Sequence, residues 1–264
     1  MLADEFACNA RNPYPGKIYS NKDKSLDVYG QSVEVDYRGE DVTVENVLRV
    51  LTDRVKEGTP SSKRLLTGQN SNLLIYFSGH GGEDFVKFQE QEELTSDDFA
   101  DALYQMHLNK RYNEILVISD SCQAQTLYNK IHSPNIIAIS SSKLGEDALS
   151  HHSDRDTGVY VIDRYTYYLL EFIEKIANKK TLEEKLKYKM KDLQKICPKN
   201  LCISTTTYDV FDFRGGENLT DEIPVLDFFG GHRKISKMEA KFVDTDQEFL
   251  KKLTADSRIE NYSF

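Results

Sequence analysis

Asn72-Leu73-Leu74-Ile75-Tyr76-Phe77-Ser78-Gly79-His80-Gly81-Gly82 is the stretch that decides the fold. Residues 73–77 are an unbroken apolar run that stops at a serine, a histidine and three glycines. A short apolar run bounded by turn residues reads as a strand buried on both faces. Glycines beyond it let backbone approach a ligand closely. His80 is therefore carried at the tip of a core strand. Glu114-Ile115-Leu116-Val117-Ile118-Ser119-Asp120-Ser121-Cys122 repeats the design, with an apolar run ending at a cysteine. If the two strands are parallel neighbours, His80 and Cys122 share the carboxyl edge of one sheet. Open α/β sheets hold their ligands at that edge.

Outward from this pair, the pattern alternates between helix and strand. Val44, Val47, Leu48, Leu51 and Val55 follow helical spacing behind Thr43 as N-cap, with Gly58-Thr59-Pro60 as the stop. A second helix is expected from Ser96, burying Phe99, Ala102, Leu103 and Met106. Residues 135–140 read as a further buried strand and residues 159–176 as a long helix. Thr181 with Glu184 makes a capping box for a helix to about Ile196, and residues 201–207 read as a last strand. Residues 33–37 alternate like a half-exposed strand, and residues 85–88 like part of a hairpin. The expected class is α/β, a mostly parallel sheet flanked by helices. Residues 1–233 form the expected domain, and residues 234–264 a charged tail or helix.

Composition narrows the function. A charge of −9, from 34 basic and 43 acidic residues, argues against a nucleic-acid partner, which needs a basic footprint. No run has the length to span a bilayer. Met1-Leu2-Ala3-Asp4-Glu5 turns acidic at once, unlike a secretory signal, so the reading is a cytosolic chain or one whose start lies upstream. Two sequons, at Asn218 and Asn261, hint weakly at a secretory compartment. Four cysteines are too few for a disulfide scaffold. Cys197 and Cys202 read equally as a local disulfide or as two free thiols. His151 and His152 are adjacent, so on a strand their side chains diverge, in a loop near the site.

A thiol becomes a nucleophile as thiolate, and an imidazole beside it can take the proton and return it to a leaving group. Taken singly, His80 reads as well as a solvated loop histidine, and Cys122 as a small buried apolar side chain. Together, Ser78-Gly79-His80-Gly81-Gly82 and Asp120-Ser121-Cys122-Gln123-Ala124 resemble the caspase-like cysteine peptidases. Ala7-Cys8-Asn9, residues 33–38, Ser62-Lys63-Arg64-Leu65-Leu66, Arg111-Tyr112-Asn113-Glu114, Ser133-Pro134-Asn135-Ile136 and Ser150-His151-His152 extend the resemblance to about Arg233. Within that fold, these segments resemble the GPI-transamidase catalytic subunits, relatives of legumain.

That resemblance implies a transamidation with no required cofactor. Cys122 attacks a proprotein near its C-terminal signal, and the amine of a GPI ethanolamine phosphate resolves the thioester. His80 is the implied acid and base, and the backbone N–H groups of Gly81 and Cys122 the implied oxyanion donors. Cys8 matches a cysteine that joins a partner subunit of the transamidase complex by a disulfide. Glu34 and Asp36 match acidic residues of a structural Ca²⁺ site, or else form an exposed acidic strand edge. The implied location is the lumenal side of the endoplasmic reticulum membrane. The family's first strand and first helix have no counterpart here, so residues 73–77 are expected to leave one strand edge open. Two rivals are a legumain-like endopeptidase, where water replaces the amine, and an inactive caspase-fold scaffold.

Overall fold

A computed structural model describes residues 1–20, 24, 27–30, 33–89, 91–213, 216 and 220–230. Residues 234–264 and both sequon asparagines, Asn218 and Asn261, lie outside the described residues. The core is a four-stranded sheet built from β1 (Asn72–Ser78), β5 (Glu114–Asp120), β6 (Ile136–Ser140) and β9 (Thr207–Phe211), in the order β1-β5-β6-β9. The first three run parallel, and β9 is antiparallel to β6. This is the mixed α/β, mostly parallel sheet that the apolar runs foretell.

Alternation along each strand sorts the core into two layers. Leu73, Ile115, Val117, Ile136 and Ala138 face α1 (Val44–Thr52) and α2 (Ser96–Leu108), where Phe99, Leu103 and Met106 are fully buried. Leu116, Ile118, Ile137 and Ile139 face α3 (Arg164–Ala177) and the 3₁₀ turn Met190–Lys195. Central strands β5 and β6 are buried on both faces. β1 is not: it is an edge strand among the described residues, and Leu74 and Tyr76 are 38% and 36% exposed. The expected open edge at residues 73–77 is present, and the expected double burial is not.

Helix starts follow their caps. The Thr43 side chain accepts from the Asn46 N–H, and Thr95 caps α2 in the same way through Asp98. Where the structure departs from the sequence reading, a local cause is visible. α1 stops before Val55 because Asp53 adopts a left-handed conformation. Residues 33–37 form no strand; Arg38 makes an isolated bridge to Leu2. Residues 160–163 are not helical. As β8 (Tyr160–Asp163) they pair with β7 (Ser150–Ser153), which suits an aromatic and β-branched run. The capping box of Thr181 and Glu184 is present, but α4 (Leu182–Leu186) is short. After it the chain bonds across to residues 223–225, with Met190 N–H donating to the Ile223 carbonyl. Residues 201–207 are not a strand. A turn of helix, α5 (Lys199–Cys202), ends at left-handed Ile203, and β9 begins at Thr207. Beyond β1, β2 (Gly81–Gly82), β3 (Phe85–Phe88) and β4 (Glu92–Thr95) form a small antiparallel sheet over the site.

Candidate active site

β1 and β5 are in register from Asn72↔Glu114 to Ser78↔Asp120, so they end together. Gly79 donates its N–H to the Asp120 carbonyl at 3.3 Å, the last rung of the ladder. Its φ of 149° then turns the chain out of the strand, a conformation that favours glycine. His80 follows on one strand end, Cys122 on the other. The His80 carbonyl accepts from Lys87 N–H at 2.9 Å, which ties its backbone to the β2–β3 hairpin.

Gly81 shows how close the two loops are. A β-carbon there would stand 2.8 Å from Ser121 Oγ and 2.9 Å from the Cys122 carbonyl oxygen. The histidine loop is therefore seated directly on the cysteine loop, at a distance only glycine permits. His80 is exposed and Cys122 half-buried. The cysteine loop is braced from beneath: Ser142 Oγ donates to the Ser121 carbonyl at 2.7 Å and accepts from Ala124 N–H at 3.1 Å. Gln123 is left-handed, and a mostly buried 3₁₀ turn, Ala124–Tyr128, follows.

Burial pushes the Cys122 thiol above its ordinary value, and the carboxylates of Asp147 and Asp163 act in the same direction. At rest the sulfur is thus a thiol, 3.9 Å from the Ala148 carbonyl. A raised thiol needs a base at the moment of attack. The neighbouring His80 is of the right type for that task.

The first turn of α3 forms a polar wall at the same edge. Asp120 Oδ2 accepts from Thr166 N–H at 3.0 Å and from its hydroxyl at 2.7 Å. Asp163 accepts from Ser78 Oγ at 2.8 Å and Ser150 Oγ at 3.0 Å, and Tyr76 shares a hydrogen bond with Thr166. Asp120 is 2% exposed, and burial pushes its carboxyl up to about 6 despite the bonds from Thr166. An unfolded aspartate titrates near about 3.9. The folded state therefore holds this proton more tightly. The resulting stability is full below pH ~4 and is lost as pH rises through about 6. Asp120→Asn is expected to remove that loss. Its melting temperature relative to the parent should rise between pH 4 and pH 7, and a constant difference would mean that Asp120 does not titrate in this range.

The remaining candidates divide. Cys8 is an exposed free thiol in the 3₁₀ turn Phe6–Cys8. Cys197 and Cys202 form a disulfide, both buried. Glu34 and Asp36 are exposed. Among the described residues no three His, Cys, Asp or Glu side chains group as a metal site. Two exposed carboxylates fall short of the six to eight oxygens that Ca²⁺ takes, so no step is built on a metal. His151 and His152 do not diverge. Left-handed His152, with φ of 53°, breaks the strand's alternation, and the two imidazoles stack on each other at 4.0 Å, with the Tyr167 ring 4.9 Å from each. A cleft of about 840 Å³ lined by Tyr14, Tyr19, Tyr29, Glu34 and Tyr160 does not include His80 or Cys122. The chemistry-bearing residues lie at the sheet edge instead. Asp147, Ala148, Asp163 and Thr166 border that edge and escaped the sequence reading. Asp163 alone carried a signal, as an N-cap residue before a helical run.

The profile of the Peptidase C13 family matches residues 1–197. A GPI-anchor transamidase of Saccharomyces cerevisiae is 46% identical over 274 residues, covering 99% of this chain and 64% of its own. That of Schizosaccharomyces pombe is 48% identical over 240 residues, with coverages of 89% and 60%. That of Homo sapiens is 50% identical over 237 residues, with coverages of 89% and 57%. The chain thus spans about three-fifths of the length of these relatives. Among the described residues no helix is long and apolar enough to cross a membrane. A family profile that matches residues 1–197, a span that holds β1 and β5, leaves one conclusion: the chain belongs to the Peptidase C13 family.

Proposed function

We propose that this chain carries the catalytic centre of a GPI-anchor transamidase, with Cys122 as nucleophile and His80 as acid and base. The observation that carries the proposal is the seating of Gly81 against Ser121 and Cys122. It occurs in a chain 46–50% identical to proteins named GPI-anchor transamidase. His80 takes the proton of the Cys122 thiol as sulfur attacks the carbonyl at the attachment site. The backbone N–H groups of Gly81 and Cys122 receive the oxyanion, each donor worth about 10²–10³ in rate. The imidazolium then protonates the departing amine of the signal peptide, leaving a thioester. The amine of the GPI ethanolamine phosphate attacks that thioester, gives its proton to His80 and releases the thiolate.

In this reading the protein works with other subunits on the lumenal side of the endoplasmic reticulum membrane. On the same reading the exposed thiol of Cys8 bonds one of them, and Glu34 and Asp36 hold Ca²⁺ only with further ligands. The amine step separates a transamidase from an endopeptidase. The full-length protein in its assembled complex should convert a reporter proprotein to its hydrazide when hydrazine replaces the glycolipid. Release of a free carboxylate alone, at a rate independent of hydrazine, would overturn the reading in favour of hydrolysis.

A further inference from the structure

The turn that follows β6 leans on the nucleophile loop at three points. Gly145 N–H donates to Gln123 Oε1 at 3.0 Å, Gln123 N–H donates to the Glu146 carbonyl at 3.0 Å, and Cys122 Sγ lies 3.9 Å from the Ala148 carbonyl. Apolar burial does not hold this turn in place, because Lys143, Leu144, Gly145, Asp147 and Leu149 are all exposed. Its anchor is the Glu146 carboxylate. Oε2 accepts from Thr205 N–H at 2.7 Å and Lys143 N–H at 3.1 Å. Oε1 accepts from Thr205 Oγ1 at 2.8 Å and Lys199 Nζ at 3.0 Å. Lys199 lies inside the loop closed by the Cys197–Cys202 disulfide, and Thr205 just beyond it. Ser204 adds a bond to the Ser141 carbonyl at 2.6 Å. A continuous path of polar contacts therefore runs from a covalently closed turn, through one carboxylate, to the backbone next to Cys122.

Four donors on one carboxylate also fix its charge. Partial burial pushes the Glu146 carboxyl up, but the bonds from Thr205, Lys199 and Lys143 outweigh it and hold the group down at about 2. Glu146 is ionised throughout the neutral range and has no proton to give. Whatever it does for the reaction, it does through geometry.

We propose that Glu146 is a positioning residue for Cys122: it locks residues 143–149 against the disulfide-closed turn and so sets the Gln123 backbone and the direction of the thiol. The proposal rests on Cys122 being the nucleophile of the reading above. Misplacing a reacting atom by about 1 Å costs on the order of 10²-fold in rate.

The test uses the full-length protein in its assembled complex. Alkylation of Cys122 by iodoacetamide is followed against pH by mass spectrometry of its peptide, beside kcat and KM for reporter turnover. Glu146→Ala is expected to lower kcat about 10²-fold with KM little changed, and to shift the pH profile of Cys122 alkylation. Glu146→Gln should show a smaller change of the same kind. Opening the disulfide with Cys197→Ser and Cys202→Ser should act on the same path. Adding Glu146→Ala to it should then cost less than the sum of the two. An unchanged alkylation profile with only a lower melting temperature would overturn the proposal, and so would additive losses. If Glu146→Ala does not assemble, Lys199→Met removes one donor from an exposed side chain. It should shift the alkylation profile in the same direction, and no shift would overturn the proposal. Alkylation needs no substrate. A shifted profile in a protein that makes only free carboxylate would therefore retain Glu146 in this role while removing the transamidase reading.

Discussion

Cys122→Ala, made in the full-length protein, is expected to abolish amine transfer, with a loss of at least about 10²–10³-fold. The reason is that binding and oxyanion donors alone leave only ~10³–10⁴ over the uncatalysed reaction, against typical accelerations of ~10⁶ and above. Without sulfur no thioester can form, and the incoming amine has nothing to resolve. His80→Ala should cost nearly as much, because burial and the carboxylates of Asp147 and Asp163 keep the Cys122 thiol protonated at rest. The double variant should be scarcely worse than either single one, since two groups that act as a unit are not additive. Cys8→Ser is the control: that thiol is exposed in the turn Phe6–Cys8 and is not assigned to the chemical step, so the chemical step should survive it. Surface display of an anchored reporter in cells lacking the parent protein provides the measurement. Normal display with Cys122→Ala would remove the nucleophile assignment.

How much of this site could be read from the chain depends on where each part sits. β1, β5 and β6 are short apolar runs closed by serine, aspartate or glycine, and such runs advertise themselves. Because β1 and β5 start opposite each other and are equally long, His80 and Cys122 emerge at the same edge. Caps at Thr43 and Thr181 were legible because their side-chain bonds span only three residues. The walls were not. Asp163 reaches Ser78 across 85 residues of chain, and Glu146 reaches Thr205 across 59. Neither contact leaves a local pattern. The boundary errors share a second cause. Asp53, His152 and Ile203 all adopt left-handed conformations without being glycine, so no glycine marks the places where the chain breaks its period. Residues 159–176 carry apolar and aromatic residues on both sides of Asp163-Arg164, a pattern that fits one helix as well as the strand and then helix found here.

Gly81→Ala is the sharpest test of the contact between the two loops. The added methyl would meet Ser121 Oγ at 2.8 Å, the Cys122 carbonyl at 2.9 Å and Ser121 Cβ at 3.0 Å. None of these can swing aside. Ser121 is buried and shares a hydrogen bond with Ser119 at 3.1 Å, its carbonyl is held by Ser142, and the Cys122 oxygen is backbone. The histidine loop must lift away instead. Lifting it would displace His80 together with the loop and carry the Gly81 N–H off the proposed oxyanion. Displacement of this size and loss of one such donor each cost about 10²–10³ in rate. The stability cost should be smaller in its consequences, about 1–3 kcal/mol for one overpacked methyl. Gly82→Ala makes the contrast. Its methyl would strike the Phe85 ring at 2.6 Å, a side chain that can turn, so it should loosen the β2–β3 hairpin more than it slows the chemistry. Gly68→Ala, with nothing within 4 Å, should change neither. Single-turnover rates and melting temperatures of the three variants separate these effects. Gly81→Ala retaining activity within about threefold of the parent, against the 10²-fold loss that misplacement predicts, would show that the seating of the histidine loop on Cys122 is not what aligns the pair.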